Sequence, residues 1–546
     1  MKNKIFRIIF LLATVVLLAQ CKEDTLLNRS PQDAPNAGNF FVNASSARKA
    51  CVAIIPFWST YWFYQDSFIP TYADIISDDA WLYGNRKNNS WRSDWTDWNI
   101  KPDFGVATGA PLLQEWWRTL YQGINAASFA VDYIPTSSDK AFTPEMQAKY
   151  IGVAKMFRGL AYIYLATLWG DVPLHKNFIA NVNDAYIAKS PKSEVLQFAI
   201  EDLTYATANM PDSWSGDDKG LPTKAAAAGF LTRAYLCAKD FANAETAANN
   251  ALTIATTDGF AMMDDYAYME SEASQPNNEW IFAFQFIPND ATFSYCNRGG
   301  AYRGIRDDPA FIQQLTYGSG FGYAVPTKNL VDAFEPGDPR RKYSMYIAGD
   351  FFGMYHGADQ VYTNPVTQQT TTYHEGDSIK YQNGWSFGNV NTRKMITDVR
   401  TLSSTEETGL DIVVLRYAEL YLYYAEALIE NNKIAEGMTQ LNKVRARPSV
   451  NMPPLSATDQ ADARAKLRHE RRIELNMEGV RIFDLFRWGI MQDIFGVGPD
   501  SKKILGVVGD NTVYRQTNCS FPKNNVFPIP QLELDVNNKM TQNPGY

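Results

Sequence analysis

The chain has 546 residues, of which 45% are hydrophobic, 14% aromatic and 20% charged, with 51 Lys and Arg against 59 Asp and Glu. This apolar content excludes an intrinsically disordered chain, because it is enough to bury a large core. The net charge of −8 argues against nucleic acid as a partner, since phosphate binding needs a basic face. No Gly/Ser-rich or Pro-rich linker divides the sequence, so we expect one large unit.

The first twenty residues have the pattern of a secretory signal. Lys2, Lys4 and Arg7 precede the apolar stretch 8–19, which is too short to cross a bilayer that needs about 20 residues. The sequence Leu-Leu-Ala-Gln-Cys that ends at Cys21 resembles the lipobox of bacterial lipoproteins, in which residues 1–20 are removed and the Cys is lipidated. The acidic start after it resembles a signal for export to the cell surface. An ordinary cleaved signal beside a chance Cys is the alternative.

Two blocks of the mature chain, about 105–260 and 410–490, have helical periodicity. Apolar residues three and four positions apart predict helices over 145–169, 194–210 behind a capping Ser193, 223–238, 242–255, 414–430 and 435–447. Small residues stand where the third and fourth helices must approach each other, at Ala228, Ala244 and Ala251. This alternation of small and large residues resembles a tetratricopeptide repeat, so the predicted fold class is mostly α.

Two further parts, about 55–104 and 276–410, are predicted to be loop-rich and to face a ligand. The second is rich in Gly, Asn, Thr, Asp and Tyr and has one predicted strand, 280–287, with alternating aromatic residues. Long irregular stretches on a rigid scaffold are commonly functional. With the helical blocks they make up one unit, residues 21–546.

Catalytic motifs have little support in this sequence. The GxSxG match at 384–388, with His469 downstream, lacks the strand and helix that a nucleophile elbow needs on its two sides. The four His residues are isolated, and no GxxxxGK occurs. Paired carboxylates such as Asp78 and Asp79 could serve a glycoside hydrolase, but solvated or capping carboxylates are the commoner case. We therefore predict no enzyme, no catalytic residue, no metal site and no cofactor. A structural calcium stays open, because its loop oxygen ligands leave no reliable spacing.

Cysteine usage predicts buried thiols outside the lipobox. The remaining cysteines are Cys51, Cys237, Cys296 and Cys519, which are widely scattered and form no CxxC pair. One disulfide stays open in an exported protein.

Aromatic residues are the unusual feature of the composition, with 13 Trp, 30 Tyr and 31 Phe. The densest cluster lies among amides and guanidiniums, and exposed indole faces in such company suit the apolar face of a sugar ring. A second patch lies in the central Gly-rich part. The predicted ligand residues are Trp81, Tyr83, Asn85, Trp91, Arg92, Trp95 and Trp98 in the first patch and Tyr295, Arg298, Tyr302 and Arg303 in the second. The alternative for any single Trp is packing beneath a loop.

Several segments of the chain resemble signatures of the SusD/RagB family of outer-membrane nutrient-binding lipoproteins. These segments are Phe157-Arg158-Gly159-Leu160-Ala161-Tyr162, Leu168-Trp169-Gly170-Asp171-Val172-Pro173, Leu415-Arg416-Tyr417-Ala418-Glu419, Glu470-Arg471-Arg472-Ile473-Glu474-Leu475, Phe483-Asp484-Leu485-Phe486-Arg487-Trp488-Gly489 and Asn543-Pro544-Gly545-Tyr546. The resemblance covers essentially the whole mature chain. Glu470, Glu474 and Glu478 recur at helical spacing near arginines, which favours ion-paired helix packing over catalysis.

The resemblance implies tetratricopeptide-like helix pairs packed against an irregular half that carries the ligand surface. It also implies a lipid anchor at Cys21 in the outer membrane, exposed at the cell surface, and a SusC-like TonB-dependent transporter as partner. The predicted function is capture of oligosaccharides for that transporter. Capture of peptides or glycopeptides, an exported glycoside hydrolase, and a scaffold lipoprotein that binds nothing are the alternatives.

Overall fold

The computed structural model describes residues 41, 43–59, 71–82, 107–267, 275–288, 297, 303, 322, 324–354, 359–363, 368–381, 389–394, 408–496, 503–508, 510–516 and 519–546. Within these ranges helices dominate and strands are short, which confirms the predicted fold class. The signal segment and Cys21 lie outside the described residues.

The α-helices follow the chain in three groups. The first group is α1 Ala44–Trp58, α2 Ala73–Ile76, α3 Pro111–Tyr133, α4 Pro144–Leu168, α5 Lys192–Asn209, α6 Lys224–Ala238 and α7 Phe241–Thr257. Two short helices follow, α8 Lys328–Val331 and α9 Arg340–Ser344. The last group is α10 Tyr417–Glu430, α11 Ile434–Arg445, α12 Gln460–Glu474, α13 Arg481–Trp488, α14 Met491–Phe495 and α15 Gln531–Val536. Short 3₁₀ helices cover Ile134–Thr136, Val182–Ala185, Gly216–Asp218 and Lys523–Asn525.

The strands pair only two by two within the described ranges, always antiparallel. They are β1 Ala80–Leu82, β2 Val172–Pro173, β3 Lys189–Ser190, β4 Trp280–Phe284, β5 Ala324–Pro326, β6 Met345–Ile347, β7 Phe351–Met354, β8 Gln360–Thr363, β9 Thr370–Tyr373, β10 Ser378–Lys380, β11 Val390–Thr392, β12 Ile412–Arg416, β13 Lys503–Val507 and β14 Asp510–Gln516. The pairs are β1 with β5, β2 with β3, β4 with β12, β6 with β11, β7 with β10, β8 with β9 and β13 with β14.

Successive helices pack side by side and form one continuous stack. Helix α3 packs on α4, α4 on α5, α5 on α6 and α6 on α7, and the stack continues from α7 to α10, α11 and α12. Its core is apolar, and α4 is buried along almost its whole second half. Helix α4 is long and apolar enough to cross a membrane by length and composition, but here most of it is buried within the stack.

Close helix approach depends on small residues, as the tetratricopeptide pattern predicts. A Cβ at Gly437 would lie 2.6 Å from Cγ1 of Ile429 and 3.1 Å from the carbonyl oxygen of Ala425. Ala228, Ala244 and Ala251 are all buried between α6, α7 and their neighbours. Lys239 adopts the left-handed conformation that ends α6 and turns the chain into α7.

Three predicted boundaries are wrong, each because a distant segment determines the local structure. Helix α5 begins at Lys192 and not behind Ser193, since the Lys192 N–H donates to the Asp171 carboxylate at 2.8 Å. Residues 414–416 belong to β12, which pairs with β4, so α10 begins only at Tyr417. Strand β4 ends at Phe284, where its pairing with β12 ends.

Candidate functional site

Of the predicted ligand residues, Trp81 and Arg303 lie in the described part of the chain. Trp81 is the middle residue of β1, opposite Val325 of β5, and its half-buried ring packs against the core. The others lie outside the described residues: Tyr83, Asn85, Trp91, Arg92, Trp95, Trp98, Tyr295, Arg298 and Tyr302. Trp81 therefore marks the described edge of the first predicted patch.

Arg303 is a structural residue, which corrects the prediction that it faces a ligand. Its side chain is 0% exposed. Its guanidinium donates to the Thr71 hydroxyl at 3.1 Å and to the Met477 carbonyl oxygen, and it forms an ion pair with Asp74 at 3.3 Å. A buried guanidinium that is bonded on all sides holds segments together and is not available to a sugar hydroxyl.

The ion pair between Arg303 and Asp74 links the described ends of the two predicted ligand patches. Asp74 belongs to α2, which stands just before β1 and Trp81. The Asp74 carboxylate also accepts the Gly479 N–H, at 3.1 Å to each oxygen. Burial raises the pKa of Asp74 well above its usual range, against the opposing effect of Arg303. The segment 71–82 thus supports both the residue that begins the first patch and the residue that ends the second.

Asp78 and Asp79, the carboxylate pair considered for glycoside hydrolysis, are held in buried ion pairs. Arg481 lies 2.8 Å from Asp78, and Arg472 lies 2.6 Å from Asp79. Burial alone would raise the pKa of Asp78, but Arg472 and Arg481 outweigh it and hold that pKa below its usual range. Burial raises the pKa of Asp79. The pair joins β1 to α12 and α13, so its role is structural.

The signature glutamates form the centre of a larger buried ion network, which confirms their predicted packing role. Glu474 is 0% exposed and lies 2.7 Å from Arg416, 2.9 Å from Arg447 and 3.0 Å from Arg340. Burial opposes ionisation of Glu474, but the three guanidiniums keep its pKa well below the usual range. Charges that are taken out of water persist only when they are fully paired in this way.

Glu470 and Glu478 extend the network to both sides of Glu474. Glu470 pairs with Arg340 at 2.6 Å and with Arg445 at 2.8 Å. Glu478 pairs with Lys394 at 2.6 Å and with Arg416 at 3.0 Å. One face of α12 and the turn after it are therefore bonded to several distant segments of the chain.

A groove of about 870 Å³ opens between α3, the segment 173–186 and α15. Part of its wall is aromatic: the rings of Trp117 and Tyr121 are 4.9 Å apart, and those of Phe129 and Phe178 are 5.0 Å apart. Large aliphatic side chains stand exposed along it, namely Val182 at 71%, Leu532 at 58% and Val536 at 50%. Concave apolar surface of this size is typical of binding sites.

Hydrogen bonds within the protein already occupy polar groups of the groove wall. The Tyr121 hydroxyl donates to the Pro173 carbonyl oxygen at 2.8 Å, and Nε1 of Trp117 donates to Glu533 at 3.3 Å. Oδ1 of Asn125 accepts the Ile179 N–H at 2.8 Å. Burial raises the pKa of Tyr121 well above its usual range, so the phenol stays protonated and keeps donating.

The groove walls are fixed to the rest of the fold. The Gln531 N–H donates to the Thr108 carbonyl oxygen at 2.9 Å, which holds α15 beside the start of α3. Nδ2 of Asn537 donates to the Ile187 carbonyl oxygen at 3.0 Å, which ties the end of α15 to the loop wall. The groove is therefore preformed.

Sequence reasoning missed this groove. The Trp117 and Tyr121 pair, four residues apart on one helix, is a signal that could have indicated an aromatic stripe on α3. The other walls come from segments far away in the sequence, and no local pattern places them opposite α3.

The structure also locates the residues that the sequence analysis considered for metal binding, catalysis and disulfide formation. No cluster of His, Cys, Asp and Glu suited to a metal ion occurs among the described residues. His469 is half-buried, and burial lowers its pKa, whereas residues 384–388 lie outside the described ranges. Cys51, Cys237 and Cys519 are buried, as predicted for structural thiols, and Cys296 lies outside the described residues.

Comparison with known proteins gives matches along most of the chain. Residues 266–546 match the SusD family, and residues 70–236 match a family described as "Starch-binding associating with outer membrane". A SusD-like protein of Bacteroides ovatus is 25% identical over 512 residues, which cover 89% of this chain and 83% of that protein.

Solved structures share the fold. A SusD-like carbohydrate-binding protein of Bacteroides fragilis superposes with a TM-score of 0.71 at 22% identity, covering 92% of this chain and 100% of that one. Surface glycan-binding protein A of Bacteroides thetaiotaomicron, in complex with laminarihexaose, superposes with a TM-score of 0.68 at 18% identity, covering 91% and 99%. The signature segments, the helix stack with its buried ion network and the match over residues 266–546 agree: the chain belongs to the SusD family.

Proposed function

We propose that the protein is a cell-surface lipoprotein that captures oligosaccharides and delivers them to a SusC-like TonB-dependent transporter of the outer membrane. The observation that carries this proposal is family membership, together with a fold shared with a carbohydrate-binding protein and with a protein in complex with laminarihexaose. The description of the second matching family, which refers to starch binding and the outer membrane, supports the same cellular place.

The proposed ligand face consists of the predicted patches without Arg303. Asp74 bonds Arg303 and stands beside the strand of Trp81, so the described ends of the two patches lie near each other. Sugar rings would stack on the Trp and Tyr rings, while amides and guanidiniums such as Asn85, Arg92 and Arg298 would bond hydroxyls.

Binding without bond cleavage is the proposed chemistry. Glycoside hydrolysis needs two carboxyl groups that flank the scissile bond, one of which must give up a proton. Asp78 and Asp79 are bonded to Arg472 and Arg481 inside the protein and are not placed for that role.

A glycan array tests the proposal, with the soluble chain that begins after Cys21 as the probe. We expect binding to a small set of related oligosaccharides, whose lengths remain unchanged during incubation. Shortened oligosaccharides at ordinary enzymatic rates would support the hydrolase instead. The chain could instead bind members of a peptide or glycopeptide library and no unmodified carbohydrate. That result would show that the captured ligand is a peptide and not a sugar.

A further inference from the structure

We infer that the groove between α3, the segment 173–186 and α15 is the docking site of the chain's own N-terminal segment, residues 22–40. These residues lie outside the described ranges, whereas the groove and Phe41, which follows the segment, lie within them. The inference stands apart from the proposed function, because it needs only this chain. It assigns the apolar groove an occupant from the same molecule.

Phe41 places the segment at one end of the groove. Phe41 is the first residue that the structure describes, and its buried ring lies 5.1 Å from the ring of Phe129. Phe129 stands in the groove wall, where its ring lies 5.0 Å from that of Phe178. The residues that precede Phe41 therefore start beside the groove.

The segment is long enough to follow the groove to its far end. The groove extends along α3 from Gln114 to Phe129, which is about 22 Å at 1.5 Å per helical residue. Helix α15 stands at the far end, where Glu533 accepts the hydrogen bond of Trp117. Leu27 precedes Phe41 by fourteen residues, which span at most about 50 Å when extended. Leu27 can thus reach α15 with chain to spare.

The apolar residues of the segment match the exposed apolar residues of the groove. Leu532 and Val536 of α15 are each at least half exposed. Leu26 and Leu27 stand together at the end of the segment that reaches α15. Aliphatic side chains gain free energy when they cover each other from water. A monomeric protein rarely leaves a large apolar patch uncovered.

The hydrogen bonding of the groove wall favours an occupant with few polar groups of its own. The Tyr121 hydroxyl and Oδ1 of Asn125 are already bonded to groups of this chain. Pro31 and Pro35 in the segment have no N–H that would need an acceptor, and they favour an extended backbone. A sugar would bring several hydroxyls, and each hydroxyl left without a partner costs free energy.

Covalent linkage gives the segment an advantage over a separate molecule. A group on a short flexible chain is present at its site at an effective concentration of the order of mM. A second copy of the protein, a sugar or another protein must displace the segment before it can bind the groove.

Docking of the segment shortens the free tether of the fold. Twenty residues separate Cys21 from Phe41 and span at most about 70 Å, whereas the five residues from Cys21 to Leu26 span at most about 18 Å. With the lipid that we propose at Cys21, the groove would hold the fold close to the membrane.

Photo-crosslinking tests the docking with the soluble chain that begins after Cys21. A photoreactive amino acid replaces Leu27, and unlabelled chains are mixed with ¹⁵N-labelled chains before irradiation. We expect cross-links from position 27 to α15 or to the start of α3, in peptides of a single isotope composition. The control carries the photoreactive residue at Val361 on β8, 68% exposed, and should give no cross-link to α15.

Three outcomes of this experiment overturn the inference. Cross-linked peptides of mixed isotope composition make a second copy the occupant of the groove. Cross-links from position 27 only to residues outside the groove place the segment elsewhere. A chain that gives no cross-link from position 27 has an undocked segment.

Carbene labelling of exposed side chains provides the second measurement. In the double variant Leu26→Asp/Leu27→Asp, labelling of Leu532 should rise at least threefold over the parent chain, while labelling of Val361 stays the same. Asn28→Asp is the matched control, since it adds a charge beside the leucines without removing an apolar side chain, and it should leave labelling of Leu532 unchanged. Equal labelling of Leu532 in the parent chain and the double variant contradicts docking.

The oligosaccharide selected on the array separates docking from glycan capture. Adding it should leave labelling of Leu532 unchanged in the parent chain and in the double variant. Protection of Leu532 by the sugar makes the groove a sugar site and overturns the inference. A parent chain that binds no glycan but gives the cross-links from position 27 contradicts glycan capture and leaves docking supported.

Discussion

The ion network around α12 and the groove beside α15 use opposite kinds of surface. Around α12, Glu470, Glu474 and Glu478 are buried with their charges paired to arginines and a lysine. Beside α15, Leu532 and Val536 are apolar and face solvent. The first arrangement places charge where apolar residues usually lie, and the second places apolar residues where charge usually lies.

This difference separates residues that determine the fold from residues that are available to partners. Each buried carboxylate bonds segments far apart in the chain, so its loss should affect the whole molecule. Each exposed aliphatic side chain contacts few neighbours, so its loss should affect only association. The predictions below run from the largest expected effect to the smallest.

Removing the central charge of the network should give the largest loss of stability. In Glu474→Gln, Arg340, Arg416 and Arg447 lose the carboxylate that they share, and we expect the free energy of unfolding to fall by about 3–5 kcal/mol. Urea unfolding measures this. Glu194→Gln is the control, because Glu194 is 50% exposed and pairs with Lys176 only at 3.6 Å, so it should change stability by less than about 1 kcal/mol. A similar loss in both variants would mean that the buried network contributes no more to the free energy of unfolding than an exposed ion pair does.

Acid should weaken the fold through the same network. The folded-state pKa of Glu474 lies below the unfolded value of about 4.3, so the unfolded chain binds more protons as the pH falls past that value. The stability that Glu474 contributes is fully present above about pH 5 and should therefore decline steadily towards pH 3. Asp74 and Asp79 have raised pKa values and should offset part of this decline.

Urea midpoints at pH 7, 5, 4 and 3 measure the acid effect. The decline should be shallower in Glu474→Gln, which lacks the central carboxylate. A midpoint that rises on acidification, or an equal slope in the parent chain and the variant, would contradict the assignment of the decline to Glu474.

Packing between α10 and α11 offers a smaller test within the scaffold. In Gly437→Ala the new Cβ would meet Ile429 and the Ala425 carbonyl oxygen, and we expect a loss of about 1–2 kcal/mol despite the better helix propensity of Ala. Gly109→Ala is the control, since no heavy atom lies within 4 Å of its Cβ position and the change should stay within about 0.5 kcal/mol. Thermal unfolding compares the two, and an unchanged Tm for Gly437→Ala would mean that the helices can separate freely.

The ligand face should respond in affinity and not in stability. Trp98→Ala should weaken oligosaccharide binding about fivefold, which corresponds to one lost stacking contact of about 1 kcal/mol. Tyr421→Ala removes a ring from the scaffold helix α10 and should leave the Kd unchanged. Calorimetry measures both, and equal affinities of Trp98→Ala and the parent chain would remove this ring from the site.

Much of the helical scaffold could be predicted from the sequence, because its cause is local. Apolar residues three and four positions apart locate α4, α6 and α7 to within a few residues. The spacing of Glu470, Glu474 and Glu478 also indicated ion-paired packing correctly. Where a distant segment intervenes, local patterns are wrong: Asp171 bonds the first turn of α5, and β4 draws residues 414–416 into a strand.

The candidate sites could be predicted less well, because burial and juxtaposition depend on the tertiary fold. Arg303 stands among Gly and Tyr residues, so composition suggested an exposed side chain, whereas Asp74 and Met477 enclose it. The groove combines α3 with segments that follow about 60 and 400 residues later in the chain. Only the folded arrangement brings these segments together.

Calorimetric titration of the soluble parent chain with an array-selected oligosaccharide tests glycan capture most directly, with mass spectrometry of the sugar after the titration. We predict saturable binding and an oligosaccharide of unchanged mass. No heat beyond dilution with any oligosaccharide of the panel, or a sugar recovered as shorter fragments, would contradict the proposed function.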